Sequence, residues 1–163
     1  MYKILFALIV SFSANLSFGQ SAPYKIESIK AFLYYNQNSS QNNKNVVGTF
    51  SQNIIDNKTF AFWNPMIAAG DAEGCSNQIM VVVEISGNPK EYIQREIQFK
   101  ATIGNKTKIE RKNKFAIIDD AGKYCISYML YDILCEHLKL TATIIGKGIE
   151  SKMEKIIPFE CGE

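Results

Sequence analysis

What this sequence has little of narrows its chemistry first. Its 163 residues hold one histidine, His137, and one tryptophan, Trp63. Of the 18 basic residues only Arg95 and Arg111 are arginine. Phosphate recognition favours the bidentate guanidinium, so a lysine surface with a net charge of +2 lacks the footprint of a nucleic-acid binder. No Cys-x-x-Cys pair occurs, and a single histidine cannot complete a Cys/His set, so no metal site is expected. Neither a nucleophile–histidine–acid arrangement nor a cofactor motif stands out, and no cofactor is expected. Strong helical periodicity is missing after the first nineteen residues. So is any run of roughly 20 apolar residues, the length that spans a bilayer, and no membrane span is expected.

What is present begins with the N-terminus. Lys3 precedes an apolar stretch over residues 4–12, and Ser17-Phe18-Gly19 puts small residues at the third and first positions before a cut. That is the grammar of a cleaved secretory signal, with cleavage expected between Gly19 and Gln20. No cysteine lies in or just after it to carry a lipid. The expectation is a soluble protein exported to the periplasm or the extracellular space, with residues 20–163 forming one domain. Cys75, Cys125, Cys135 and Cys161 all fall in that part. An even cysteine count behind a signal peptide points to two disulfides.

Strand signals fill the remainder. Residues 25–35 are rich in Ile, Phe, Leu and Tyr, with a slip of phase between Ile26 and Ile29 that a β-bulge would produce. Residues 36–45 are polar and read as a loop, and residues 46–62 leave room for one or two short strands. Ile79, Val81, Val83 and Ile85 alternate with Met80, Val82, Glu84 and Ser86, giving one dry face. After the Ser86-Gly87-Asn88-Pro89 turn, Ile93, Ile97, Phe99, Ala101 and Ile103 share a side, with Arg95 as the exception. Residues 106–118 suggest a polar edge strand and then another. Residues 124–131 alternate aromatic and small side chains, and Leu138, Leu140, Ala142 and Ile144 point inward from the next strand. Residues 153–159 close the domain. Turns every ten residues or so, with one apolar face per strand, predict an all-β antiparallel sandwich stapled by disulfides.

The last hairpin bears on the disulfides. Its apolar faces meet if Leu138 pairs with Phe159, Leu140 with Ile157 and Ile144 with Met153. Cys135 and Cys161 then come opposite one another if one residue bulges near Pro158. Cys135–Cys161 with Cys75–Cys125 is therefore the favoured pairing of the three that four cysteines allow.

The segment Asp120-Ala121-Gly122-Lys123-Tyr124-Cys125 resembles the Asp-x-Gly-x-Tyr-x-Cys run that leads into strand F of immunoglobulin domains. The resemblance implies an immunoglobulin-like sandwich, with Tyr124 as the corner tyrosine and Cys125 as an inter-sheet bridge. Here Cys125 follows Tyr124 directly, without the intervening residue.

Candidate functional residues are few. Trp63 sits in a stretch from Thr59 to Cys75 in which aromatic, acidic and glycine residues crowd together. It presents Trp63 to a ligand with Asp71 and Glu73 beside it, or Trp63 and Phe62 plug one end of the sandwich. His137 is expected outside, next to Lys139. Asp71 with Glu73 and Asp119 with Asp120 have neither the ligand number nor the loop grammar of a calcium site. They are the only acids on which a small carboxylate-based hydrolase of glycans or esters could rest. Tyr34, Tyr35, Tyr124, Tyr128 and Tyr131 make an aromatic face or fill the core. The expected function is non-catalytic binding of a protein or carbohydrate through loops at one end, with a structural envelope role as a further reading. Oligomeric state is left open.

Overall fold

The computed structural model describes residues 24–35, 48–57, 59–89, 92–116, 119–132 and 135–161. The expected signal peptide and the polar loop at 36–45 lie outside them. Eight strands follow in order: β1 Lys25–Tyr35, β2 Thr49–Phe50, β3 Gln78–Ser86, β4 Arg95–Ile103, β5 Lys106–Phe115, β6 Lys123–Tyr131, β7 Leu138–Ile145 and β8 Ile149–Ile157. One turn of 3-10 helix, Pro65–Ile67, is the only helical element among the described residues.

The strands form two four-stranded sheets, ordered β2-β1-β3-β6 and β5-β4-β7-β8, and every neighbouring pair is antiparallel. In the immunoglobulin scheme β1, β3 and β6 stand where strands A, B and E stand. The strands β5, β4, β7 and β8 take the places of C′, C, F and G. Alternation explains why the sheets pack: Ile79, Val81, Val83 and Ile85 on β3 face Ile97, Phe99 and Ala101 on β4 across one dry interior. On β7, Leu138, Leu140, Ala142 and Ile144 are fully buried.

The phase slip in β1 is a real bulge, with register shifting between Ile26 and Ser28. Arg95 breaks the alternation of β4 because it serves an ion pair. Its Nε lies 2.6 Å from Glu150 Oε1, and its guanidinium sits 5.5 Å over the ring of Tyr24. Ile93 departs from expectation: it precedes the strand and is exposed. Of the expected pair over residues 106–118, the described residues supply one strand, since β5 runs unbroken from Lys106 to Phe115.

The last hairpin differs by two residues from the expected register. Leu138 pairs with Ile157, Leu140 with Lys155 and Ile144 with Ser151. A two-residue slip keeps every side chain on its own face, so alternation cannot detect it. The chain turns tightly at residues 146–148, where Gly146 N–H donates to Gly148 O at 2.8 Å, which shortens the loop and shifts the partners. Phe159 then leaves the ladder and is buried by itself, with its ring 5.8 Å from that of Phe62.

Cys135 and Cys161 are joined, with Cα atoms 4.9 Å apart. The expected Cys75–Cys125 bond is absent: both thiols are free and exposed. Cys125 pairs with Glu84 in the ladder, whereas Cys75 precedes Gln78 at the other end of β3. The six steps from Gln78 to Glu84 alone span roughly 20 Å, far beyond the 7 Å limit for a disulfide. The corner role implied for Tyr124 and the bridging role for Cys125 fail with it. The strand in the place of F is β7, while β6 lies in the other sheet. Tyr124 stacks on Phe115 at 5.2 Å instead. The native protein should therefore titrate two thiols per chain with a disulfide reagent in the absence of denaturant. A count of zero would restore the second bond.

Candidate functional site

The end of the sandwich where β1 and β8 finish carries the segment from residue 51 to residue 76. Its first part lies along β1 without forming a regular strand. Ser51 N–H donates to Leu33 O at 3.0 Å and Ile54 N–H to Ala31 O at 2.8 Å. Between them, Ser51 Oγ accepts from Leu33 N–H and Asn53 Oδ1 from Ala31 N–H. Side chains thus complete the ladder where the backbone departs from it, and Ile54 enters the core.

The second part is pinned at several points. Asn64 N–H donates to Glu160 O at 2.6 Å and Glu160 N–H to Phe62 O at 2.7 Å, next to the Cys135–Cys161 bond. Ser76 N–H donates to Pro65 O at 2.9 Å. Asp71 Oδ2 accepts from Ala61 N–H at 2.7 Å and closes the loop on itself. Gly70 sits at φ +72° in this closure, and a Cβ there would meet Ala61 O at 2.6 Å, so the fold requires glycine.

Between the two parts lies an open concavity of about 420 Å³. Tyr35 and Phe60 give it aromatic walls, while Ser51, Gln52, Asn57 and Thr59 supply amides and hydroxyls. Asp71 and Glu73 add carboxylates. Tyr35 Oη accepts from Glu73 N–H at 3.3 Å, leaving its own proton free to donate. Burial raises the pKa of that phenol above its ordinary value, so it keeps the proton.

The structure therefore brings Asp71 and Glu73 together and sets Trp63 apart. Trp63 does not line the concavity. It is 51% exposed, and with Met66 and Ile67 (68% exposed) it forms an apolar ridge on the same loop. The core-plug reading belongs to Phe60 and Phe62, whose rings lie 5.3 Å apart, not to Trp63.

Asp119 and Asp120 sit at the opposite end. The Asp119 carbonyl accepts from Gly122 N–H and its carboxylate from Lys123 N–H, shaping the turn before β6. The length of β3, roughly 27 Å, separates them from Asp71 and Glu73. Acids that share one glycosidic bond stand about 5–9.5 Å apart, so the two pairs do not form one centre. His137 is exposed, as its position beside Lys139 implies. The tyrosines build no common face: Tyr34 contacts Phe50, Tyr128 stacks on Phe99 and Tyr131 is exposed.

No protein-family model matches this chain, and no curated protein matches it. Among solved structures, a Bifidobacterium dentium β-glucuronidase complexed with coumarin-3-O-glucuronide is similar, with a TM-score of 0.43 and 12% sequence identity. The match covers 85% of this chain and 18% of that one. This chain thus corresponds to under a fifth of that enzyme's length.

Sequence reasoning did not single out Ser51, Gln52 or Asn57, and it included Thr59 and Phe60 only as part of the stretch around Trp63. The one local hint is the Asn57–Thr59 turn, in which Asn57 Oδ1 accepts from both Thr59 N–H and Thr59 Oγ1.

Proposed function

We propose that this protein is an exported, non-catalytic binding domain that takes a carbohydrate into the concavity at the loop end of its sandwich. The observation that carries this reading is the lining. Amides, hydroxyls and carboxylates surround a space walled by two aromatic rings. Such groups match the alternating hydroxyls and C–H faces of a sugar. The 51–76 segment is fastened on both flanks, so little ordering entropy is lost on binding. Export rests on the signal-like N-terminus and agrees with the disulfide.

A glycan array probed with the processed protein tests this. Glu73→Gln and Gln52→Ala are the informative variants, because their side chains line the space and brace none of the loop hydrogen bonds described above. Each should weaken retention of a bound glycan about tenfold, the effect of losing a hydrogen bond of about 1.4 kcal/mol. The melting temperature should stay within a degree or two, as for exposed substitutions. An array on which nothing is retained, or retention indifferent to both variants, would sink the carbohydrate reading.

A second reading is favoured by the exposed Trp63–Met66–Ile67 ridge, which suits a protein partner. Loss of retention in Trp63→Ala, with Glu73→Gln unaffected, would select it.

A further inference from the structure

The four outer edges of the two sheets are not equally defended. The edge strand β5 carries Lys106, Lys108, Glu110, Arg111, Lys112 and Lys114, and β8 carries Glu150, Lys152, Glu154 and Lys155. The β1 edge is covered by β2 and by residues 51–54. The edge strand β6 has Lys123 at its start and then eight residues, Tyr124 to Tyr131, without a charge, a proline or a glycine. Charges, coverage and bulges are how sheets avoid edge pairing, and among the described residues β6 beyond Lys123 has none of them. Its register with β3 runs without a shift.

The free hydrogen-bonding groups on that edge can be assigned. Gly87 N–H donates to Gly122 O just before β6, and Asp132 N–H donates to Asn77 O just after it. Ten residues of unbroken antiparallel register separate the two bonds, and hydrogen-bonded pairs alternate with non-bonded ones. Even-numbered residues of β6 therefore bond to β3. The N–H and C=O groups of Cys125, Ser127 and Met129 point away from it, and among the described residues no strand takes them up.

Beside this edge runs a groove of about 300 Å³. It is lined by Ile126 to Met129 on one side and by Ile109, Arg111 and Asn113 of β5 on the other. We infer that β6 is a docking edge for an extended segment of a partner protein, one that alternates apolar and acidic side chains and adds to the sheet as a further strand. Backbone bonds to Cys125, Ser127 and Met129 would hold it, its apolar residues would meet Ile109 and Ile126, and its acids would face Arg111 and the lysines of β5. Charge decides the occupant. Five basic residues against one acid on β5 attract an acidic strand. A second copy docked edge to edge would instead bring two basic β5 strands together, and like charges so placed are repulsive. This surface does not depend on the concavity at the loop end.

The test is amide hydrogen exchange of the processed protein with a short capped peptide alternating valine and glutamate, and with its valine–lysine counterpart. The glutamate peptide should slow exchange at Cys125, Ser127 and Met129 by about tenfold or more, and added salt should weaken the effect. Arg111→Glu, an exposed change, should abolish the preference for glutamate over lysine. Ser127→Pro should remove binding while keeping the β3 ladder, because the Ser127 N–H takes no part in it. Should that variant misfold, Arg111→Glu carries the test. Unchanged exchange, or equal protection by the lysine peptide, overturns the inference. Protection of the same amides that grows with protein concentration and needs no peptide overturns it in favour of a second copy.

Discussion

Phe99→Ala should lower the free energy of unfolding by about 3–5 kcal/mol, the range for truncating a buried phenylalanine. Phe99 lies at the middle of β4, is fully buried, and stacks on Tyr128 of β6 with ring centroids 4.2 Å apart and planes 7° from parallel. It is a direct contact between the two sheets. The void left by alanine would be bounded by strands already locked in ladders on both sides, so the site has little freedom to collapse. Tyr128 would also lose the ring that shields it, while its hydroxyl stays tied to Asn113 Oδ1 at 3.3 Å. Burial now pushes that phenol's pKa well above the usual value. In the variant its absorbance titration should move back toward normal. Phe99→Leu fills most of the volume and should cost far less. Urea unfolding of the three proteins measures this, and a loss below about 1 kcal/mol for alanine would mean that the sheets do not pack through this pair.

Removing the Cys135–Cys161 bond, as the double serine variant, should cost about 3–4 kcal/mol by loop-entropy arithmetic for its 26-residue separation. A domain of this size holds only about 5–15 kcal/mol in total, so the loss is large. Its local consequence is more telling. The bond fixes the chain just after Glu160, whose backbone receives Asn64 N–H and donates to Phe62 O. Without it, the amides of Asn64 and Glu160 should exchange before those of β3 and β7, because the loop end is released while the sheets persist. Simultaneous loss of protection everywhere would show that the bond supports the sandwich rather than the loop.

The distinction between scaffold and loop also marks what could be read in the sequence. The span of β1, its bulge and the buried faces of β3, β4 and β7 follow from alternation, which is a local property of each strand. The Cys135–Cys161 pair was within reach because its flanking strands form a hairpin. The Cys75–Cys125 pair was not, since choosing it requires knowing where along β3 each cysteine falls. The hairpin register escaped because a slip of two preserves every face, and the turn at residues 146–148 decides it. The concavity gathers Tyr35 from a strand end, residues 51–60 from an irregular segment and Asp71 and Glu73 from beyond it. Nothing local announces that convergence. Asp71 and Glu73 drew notice as acids near glycines, and Trp63 drew notice as the only tryptophan. The fold separates them by turning the Asp71 carboxylate onto Ala61 N–H and the indole outward.

One measurement bears most directly on the binding account: amide chemical-shift mapping of the labelled protein during titration with the glycan best retained on the array. The account predicts shifts concentrated at Tyr35, at residues 51–60 and at Asp71 and Glu73, saturating together, with β5 and the turn at Asp119 silent. Shifts centred on Asp119 and Asp120, or spread evenly without saturation, would contradict it.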